Sequence, residues 1–253
     1  MKKSIPNHIV LFPDGNRRWA RKKGLPALRG HQKGYQNFKD FLKWCQKKRV
    51  KVLTVFGFST ENWKRSDKEV NYLMKLFGDG LKKKNEIKKF QKAGVRVKII
   101  GQKKRLPKSL QKTIASVEKL TKKNTNFYLN LAVSYGGRWD IVQAIKKIIS
   151  KKIPAKDINE NLVENLLSTA GLASPDLIIR AGGERRFSNF VLWQAAYSEL
   201  YFSPKLWPDF SEDDFEKALA DYTRRQRRFG GDSKKYFLDK ITIQSIMTMG
   251  PKT

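Results

Sequence analysis

Short apolar runs, rich in β-branched and aromatic residues, alternate along the chain with longer segments whose apolar positions recur at helical spacing. The first kind reads as strands buried on both faces, the second as amphipathic helices. His8–Phe12 is predicted as the first strand and Val52–Phe58 as the second. Between them His31–Arg49 is predicted as a helix, with Tyr35, Phe38, Phe41, Leu42 and Cys45 on one face. Asp67–Ala93 reads as one long helix ended by Gly94. Gly78 and Gly80 fall inside it. Glycine there costs about 1 kcal/mol relative to alanine, so the pair asks for a reason: a kink, a close helix contact, or room for a bound group. Val95–Ile100 is the third predicted strand, followed by a helix from about Pro107 to Lys123 with proline at its start. Phe127–Val133 is the fourth strand, and Arg138–Lys152 and about Ile158–Thr169 are helices. Asp176–Arg180 is the fifth strand, Ser188–Tyr197 a helix, Leu200–Ser203 the sixth strand and Glu212–Arg228 the last helix.

Strands alternating with helices predict an α/β fold, with a mostly parallel six-stranded sheet flanked by helices. No composition break, linker or internal repeat divides the 253 residues, so residues 1–253 are read as a single domain, with a tail at about 232–253 expected to be flexible. In such sheets ligands bind beyond the carboxyl ends of the strands. The residues just after each strand are therefore where chemistry is expected.

Composition narrows the setting. The single cysteine, Cys45, excludes an intrachain disulfide and favours a reducing compartment. Pro6, His8, Pro13 and Asp14 interrupt the N-terminal apolar stretch before signal-peptide length. No run approaches the roughly 20 apolar residues of a membrane span. A cytoplasmic location is expected, with peripheral contact at a membrane surface as the alternative. The net charge of +31 admits three readings: solvated lysine-rich faces, attraction to anionic lipids or substrates, and nucleic-acid binding. Most lysine runs flank apolar helix positions, which favours the first.

The strand ends carry the candidate chemistry. After the first strand comes Pro13-Asp14-Gly15-Asn16-Arg17-Arg18-Trp19: a carboxylate that can hold a divalent metal, a glycine that lets backbone approach a ligand, and two arginines. The same residues also read as an Asp-Gly turn with surface arginines. After the second strand comes Ser59-Thr60-Glu61-Asn62-Trp63-Lys64-Arg65. A helix cap would explain Ser59 or Thr60 but not Trp63 and Arg65. Ser134-Tyr135-Gly136-Gly137-Arg138 follows the fourth strand, a double glycine that alone marks only a tight turn. Arg180-Ala181-Gly182-Gly183-Glu184-Arg185-Arg186-Phe187-Ser188 follows the fifth, a strong candidate for diphosphate binding. Glu199, before the sixth strand, is either a second carboxylate for a metal or a surface residue. His31 lies near a helix start, where it meets an anion or solvent. There is no GxxxxGK[ST] and no GxGxxG after a strand, which argues against P-loop and dinucleotide enzymes. Two histidines and one cysteine argue against a classical zinc site.

Taken together these segments resemble the undecaprenyl diphosphate synthase, or cis-prenyltransferase, family. The matching blocks are HIVLFPDGNRRWA, RGHQKG, FGFSTENWKRSDKEV, LNLAVSYGGRWDI, PDLIIRAGGERRFSNFVLWQAAYSELYF, LWPDF and RRQRRFGG, in family order to about Gly231. The resemblance implies a Mg2+-dependent enzyme that extends an allylic diphosphate primer, such as farnesyl diphosphate, with isopentenyl diphosphate to give a polyprenyl diphosphate lipid carrier precursor. It implies Asp14 as the metal-binding catalytic residue, with Glu199 as the second metal-linked carboxylate. It places Gly15, Asn16, Arg17, Arg18 and Trp19 at the allylic diphosphate, with His31 nearby. Ser59, Thr60, Glu61, Asn62, Trp63 and Arg65 match the second substrate loop, where Asn62 stands at the position often assigned as proton acceptor. Arg180, Arg186, Phe187 and Ser188 match the isopentenyl diphosphate site. Arg228-Phe229-Gly230 matches an element that reaches a neighbouring subunit's site, which implies a homodimer. An apolar product tunnel is implied as well. Phe56, Phe58, Leu76, Leu129 and Leu131 are candidate walls, and read equally well as ordinary core.

Three positions depart from the common bacterial pattern: Arg17 where glycine is frequent, Ala27 where an arginine is, and Arg185 where a histidine is. A non-catalytic subunit of this family would lose the catalytic residues, and Asp14, Arg180 and Arg186 are present. A synthase of short or irregular isoprenoid diphosphates is the closer alternative. A basic nucleic-acid-binding protein is disfavoured, because the arginines gather at strand ends and no nucleic-acid motif is present.

Overall fold

The computed structural model describes residues 5–82 and 84–225. The Arg228–Gly230 element and the 232–253 tail lie outside the described residues. Six strands form one sheet: β1 (His8–Phe12), β2 (Val52–Ser59), β3 (Val95–Ile100), β4 (Phe127–Tyr135), β5 (Leu177–Arg180) and β6 (Glu199–Phe202). Their order is β3-β4-β2-β1-β5-β6 and every pairing is parallel. The expected α/β class and parallel six-stranded sheet are therefore observed.

The central strand β1 shows why its sequence is a continuous apolar run. Ile9 and Leu11 enter one core cluster while Val10 and Phe12 enter another. Alternate side chains point to opposite faces, and both faces are covered. On the first face lie α2 (Ala27–Lys47), α3 (Asp67–Lys82), α5 (Lys108–Thr121) and α8 (Glu212–Arg224), which bury Phe41, Leu73, Ile114 and Phe215. The second face packs Tyr135, Phe190 and Val191, with Trp139 of α6 (Gly137–Ser150) against them. α1 (Asn16–Lys22), α4 (Lys84–Lys92) and α7 (Glu160–Leu166) complete the set among the described residues.

Several boundaries move from the sequence expectation. α2 starts at Ala27 rather than His31, after Pro26 in extended conformation. Pro107 caps α5 from outside instead of opening it. The helix expected over 67–93 is described as α3 and α4, which flank residue 83, outside the described residues. Leu81, Ile87 and Phe90 pack on the same core, so the apolar spacing runs on across both segments. The helix expected at Ser188–Tyr197 is absent. Ser188, Asn189 and Val191 have φ of 46°, 62° and 40°, left-handed values that a right-handed helix cannot contain. Its apolar residues Phe190, Val191 and Ala195 are buried by turns instead, and that burial produced the helical-looking spacing.

Candidate active site

The carboxyl ends of β1 and β5 are adjacent because these strands pair, Phe12 opposite Arg180. That register brings Asp14 to Arg180. The buried guanidinium of Arg180 donates from Nη2 to Asp14 Oδ2 at 2.8 Å and from Nη1 to Ser188 Oγ at 2.9 Å. It also donates to the Arg186 carbonyl. Arg18 Nη2 lies 3.4 Å from Asp14 Oδ1, one helical turn on. Gly15 has φ 102°, and a Cβ there would lie 2.7 Å from the Leu206 side chain. The turn therefore needs glycine on both counts.

A second cluster joins α1, α2, α3 and the loop after β2. The Glu69 carboxylate, 7% exposed, accepts from His31 Nε2 and from Arg65 Nη1, each at 2.9 Å, and lies 3.6 Å from Arg17 Nε. Burial alone would raise the Glu69 carboxyl; the His31 hydrogen bond and the Arg65 and Arg17 charges outweigh it and hold it below its ordinary value. Burial pushes His31 down despite Glu69, so it is a neutral imidazole whose Nε2–H donates to the carboxylate. Glu69 was not singled out in the sequence. It follows Ser66 in a Ser-x-x-Glu spacing, the mark of a helix start, and that local reading hides it. The available signal is Arg65, four residues earlier in extended backbone just before α3, a basic partner for an otherwise buried carboxylate.

The loop after β2 is a 3-10 turn over Thr60–Lys64. Ser59 Oγ accepts from Asn62 N, and Asn62 Oδ1 accepts from Ser59 N at 3.1 Å. A backbone N–H is a donor, so the atom it meets must be the amide oxygen; the Asn62 NH2, itself a donor, is the remaining polar group. Glu61 is tied to Asn189, whose Nδ2 donates to Oε1 at 2.8 Å. Asn189 also accepts from the amides of Arg138 and Gly137. A Cβ on Gly136 would lie 2.7 Å from both Asn189 Nδ2 and Thr60 Oγ1, which explains the first glycine of the pair.

These strand ends enclose a cleft of about 950 Å³. Of the residues expected from the sequence, Asp14, Gly15, Asn16, Arg17, Arg18, His31, Ser59, Glu61, Asn62, Arg65, Arg180 and Ser188 line it. Arg21, Arg138 and Asn189 line it too and were not expected. Trp19 and Trp63 do not. Trp19 Nε1 donates to Asp209 at 2.7 Å, and Trp63 Nε1 to Ser134 Oγ at 2.8 Å, so both brace the loops from behind. Thr60 and Phe187 also lie off the cleft wall; Phe187 packs on the second core cluster. Arg186 is largely exposed and pairs with Glu184, whose other oxygen meets Arg18 at 3.2 Å.

An apolar chamber of about 120 Å³ continues from the cleft. Pro13, Asn16, His31, Gly57 and Leu73 border both. Leu76, Leu129 and Leu131 are among the chamber walls, as expected; Phe56 lines the cleft, whereas Phe58 is core beneath Trp63. Gly80 borders the chamber, whereas the missing Cβ of Gly78 meets nothing within 4 Å.

The Prenyltransf family model, described as undecaprenyl diphosphate synthase, matches residues 12–230. The chain belongs to the cis-prenyltransferase family. An isoprenyl transferase of Clostridium perfringens is 49% identical over 231 residues, covering 90% of each chain. A ditrans,polycis-undecaprenyl-diphosphate synthase of Legionella pneumophila, specific for (2E,6E)-farnesyl diphosphate, is 45% identical, over 91% of this chain and 98% of its own. The crystal structure of lavandulyl diphosphate synthase from Lavandula x intermedia, in complex with dimethylallyl diphosphate, superposes with a TM-score of 0.85 at 41% identity. It covers 89% of this chain and 98% of its own.

For a cis-prenyltransferase the metal question turns on the carboxylates. Among the described residues no three His, Cys, Asp or Glu side chains gather into a self-sufficient metal cage. Asp14, about one-third exposed at the cleft, fits the mode in which Mg2+ takes one or two carboxylates and completes its shell with substrate phosphate and water. Glu199 does not join Asp14 within one chain. It pairs with Leu177, level with Ile9 and three residues before the Phe12–Arg180 level, about 10 Å down the strands from where Asp14 only begins. Its carboxylate is held instead by Arg225 at 2.8 Å.

Proposed function

We propose that this cis-prenyltransferase condenses an allylic diphosphate with isopentenyl diphosphate and releases diphosphate, extending the prenyl chain by one cis unit per cycle. The observation that carries this reading is the Asp14–Arg180–Ser188 and Arg18 cluster at the ends of adjacent strands, opening onto an apolar chamber. Charge binds the diphosphates at one end and hydrocarbon is accommodated at the other.

In each condensation the allylic carbon–oxygen bond breaks with its electrons going to the departing diphosphate. The double bond of the isopentenyl unit attacks the freed carbon, and a proton then leaves that unit. Arg17 and Arg18, with Asp14 between them and Arg180, serve the allylic diphosphate. Arg180 and Ser188 hold the second diphosphate and so fix the double bond against the reacting carbon. Arg186 joins them by giving up Glu184. Fixed guanidinium charge stabilises the leaving diphosphate without reorganising during the step. Asn62, with its oxygen engaged, orients a group by donation; the proton goes to another acceptor, the diphosphate being the one the reaction supplies. Mg2+ held by Asp14 would neutralise diphosphate charge and make it a better leaving group.

A homodimer, the role of Arg228-Phe229-Gly230 in it, a cytoplasmic location and peripheral membrane contact through the positive surface belong to the same proposal. No helix among the described residues is long and apolar enough to cross a membrane. The test is incubation of the full chain with labelled isopentenyl diphosphate and either dimethylallyl or farnesyl diphosphate, with and without a chelator. Incorporation that stops on chelation supports the reading; none with any primer overturns it.

A further inference from the structure

The loops after β2, β4 and β5 meet at one side chain that the reaction as described does not use, Asn189. α6 begins at Gly137, and its cap residue, Gly136, has no side chain to accept from the first amides of the helix. A Cβ on Gly137 would lie 2.8 Å from Leu192 Cγ, so the turn after β5 packs directly on this bare helix start. Asn189 supplies the acceptors that the glycine lacks. Its carbonyl accepts from Gly137 N at 2.6 Å and its Oδ1 from Arg138 N at 2.9 Å. With the amide oxygen committed there, the NH2 is left for Glu61, whose Oε1 accepts from it at 2.8 Å. The φ of 62° at Asn189 is left-handed, a conformation asparagine tolerates better than most residues. Burial raises the Glu61 carboxyl, and the Asn189 hydrogen bond leads the contacts that outweigh it and hold it below its ordinary value. Glu61 is therefore an anion at neutral pH, and the bond to it is charge-assisted.

The consequence is positional. The reciprocal Ser59–Asn62 hydrogen bonds fix the shape of the Thr60–Lys64 turn, but not where it stands against the other strand ends. Trp63 ties the turn to Ser134 on β4, and Glu61 ties it to Asn189. Ser188, next to Asn189, accepts from Arg180. Asn62 and Ser188 are thus each one residue from an end of the same Glu61–Asn189 bond. We propose that Asn189 is a positioning residue for the condensation, holding the loop that carries Asn62 in register with the loop that carries Ser188. This rests on the prenyl-extension reading above. The isopentenyl unit, held by its diphosphate at Arg180 and Ser188, is then presented to Asn62 in one geometry. Asn189 touches no reacting atom and acts through Glu61. An amide is required because one side chain must accept from a helix start and donate to a carboxylate at once; an ionised aspartate has the same shape but only accepts.

The test measures initial rates of the full chain with labelled isopentenyl diphosphate and farnesyl diphosphate, each varied in turn. Asn189→Asp keeps the Arg138 contact but sets a second carboxylate against Glu61. It should lower kcat/KM for isopentenyl diphosphate by about tenfold, the loss of one charge-assisted hydrogen bond, while KM for farnesyl diphosphate moves by less than about twofold. Glu61→Gln separates positioning from a general structural role. In the unmodified chain it should lower kcat/KM, because the Asn189 amide loses a charged acceptor. In the Asn189→Asp chain it should raise kcat/KM severalfold, because the glutamine amide donates to the introduced carboxylate and the bond returns with its roles exchanged. Asn189→Gly keeps the left-handed backbone and the carbonyl but removes the side chain. It should show the same loss, without repair by Glu61→Gln, and it carries the test should Asn189→Asp fail to fold by circular dichroism. Unmodified kinetics in either folded variant, or Glu61→Gln lowering kcat/KM in the Asn189→Asp chain as it does in the unmodified one, overturns the proposal while leaving the reaction intact. Equal rises in both KM values overturn the link to the isopentenyl site. Absence of any condensation by the unmodified chain instead overturns the reading of the reaction itself.

Discussion

Replacing Glu69 by glutamine tests whether one buried carboxylate organises the allylic side of the cleft. The substitution keeps the side chain's shape and one acceptor oxygen but removes the charge that His31, Arg65 and Arg17 share. The Arg17 contact is long and Arg17 is well exposed, so its share is about 0–1 kcal/mol. The His31 and Arg65 hydrogen bonds end on an ionised, buried acceptor, worth roughly 1.5–3 kcal/mol each. Both end on Oε1, where an uncharged amide oxygen can still accept them more weakly. The expected loss is therefore on the order of 2–3 kcal/mol, the non-additive remainder of a coupled network. Urea denaturation at neutral pH measures it directly. The same variant should raise KM for the allylic primer more than KM for isopentenyl diphosphate, because His31, Arg17 and Arg65 lose their common anchor while Arg180 and Ser188 do not touch it. The pH dependence gives an independent sign. Glu69 is held below its ordinary value, so its contribution is present above the ordinary glutamate range and fades as pH falls through the lowered folded value. Glu69→Gln should flatten that acid limb. An unchanged urea midpoint together with unchanged KM values would refute the anchoring role.

Asp14→Asn keeps a polar contact to Arg180 but removes the charge proposed to hold Mg2+; turnover should fall by orders of magnitude, from roughly several kcal/mol of lost transition-state stabilisation. Near-normal turnover with an unshifted Mg2+ titration would refute the assignment. Arg186→Ala should weaken isopentenyl diphosphate by roughly 1.5–3 kcal/mol and the primer less; equal loss for both, measured as separate KM values, would mean the two diphosphate sites are exchanged or merged. His8 is buried on β1, its two ring nitrogens bonded to the Ala173 carbonyl and the Thr54 hydroxyl, and burial lowers its pKa from 6.5 to about 4. The unfolded chain takes up that proton first, so stability should rise between about pH 4 and pH 6.5 and be fully present above, by about 3 kcal/mol. Denaturation midpoints across that range should show the slope, and His8→Gln should lose most of it.

The local pattern of the chain determined the strands, their parallel arrangement and the loops that follow them, because continuous apolar runs are what a sheet covered on both faces demands. It likewise pointed to Asp14, Arg18, Arg180 and Ser188, which the structure gathers at one cleft, since charged and glycine-rich segments at strand ends have no role in packing. Periodicity reports burial, however, and not the backbone path that achieves it. The 188–197 segment buries its apolar residues through turns with left-handed residues. Spacing alone cannot tell these from a helix. Direction was also beyond reach. Trp19 and Trp63 sit within the site loops, yet their indole N–H groups face inward and hold those loops in place. Glu199 belongs to a matching block, but strand register puts it at the other end of the sheet from Asp14. Only the tertiary structure put Glu69 behind the cleft wall and Asn189 on it, because each is defined by partners on other elements: His31 on α2, and Glu61 and the Gly137 amide across two loops.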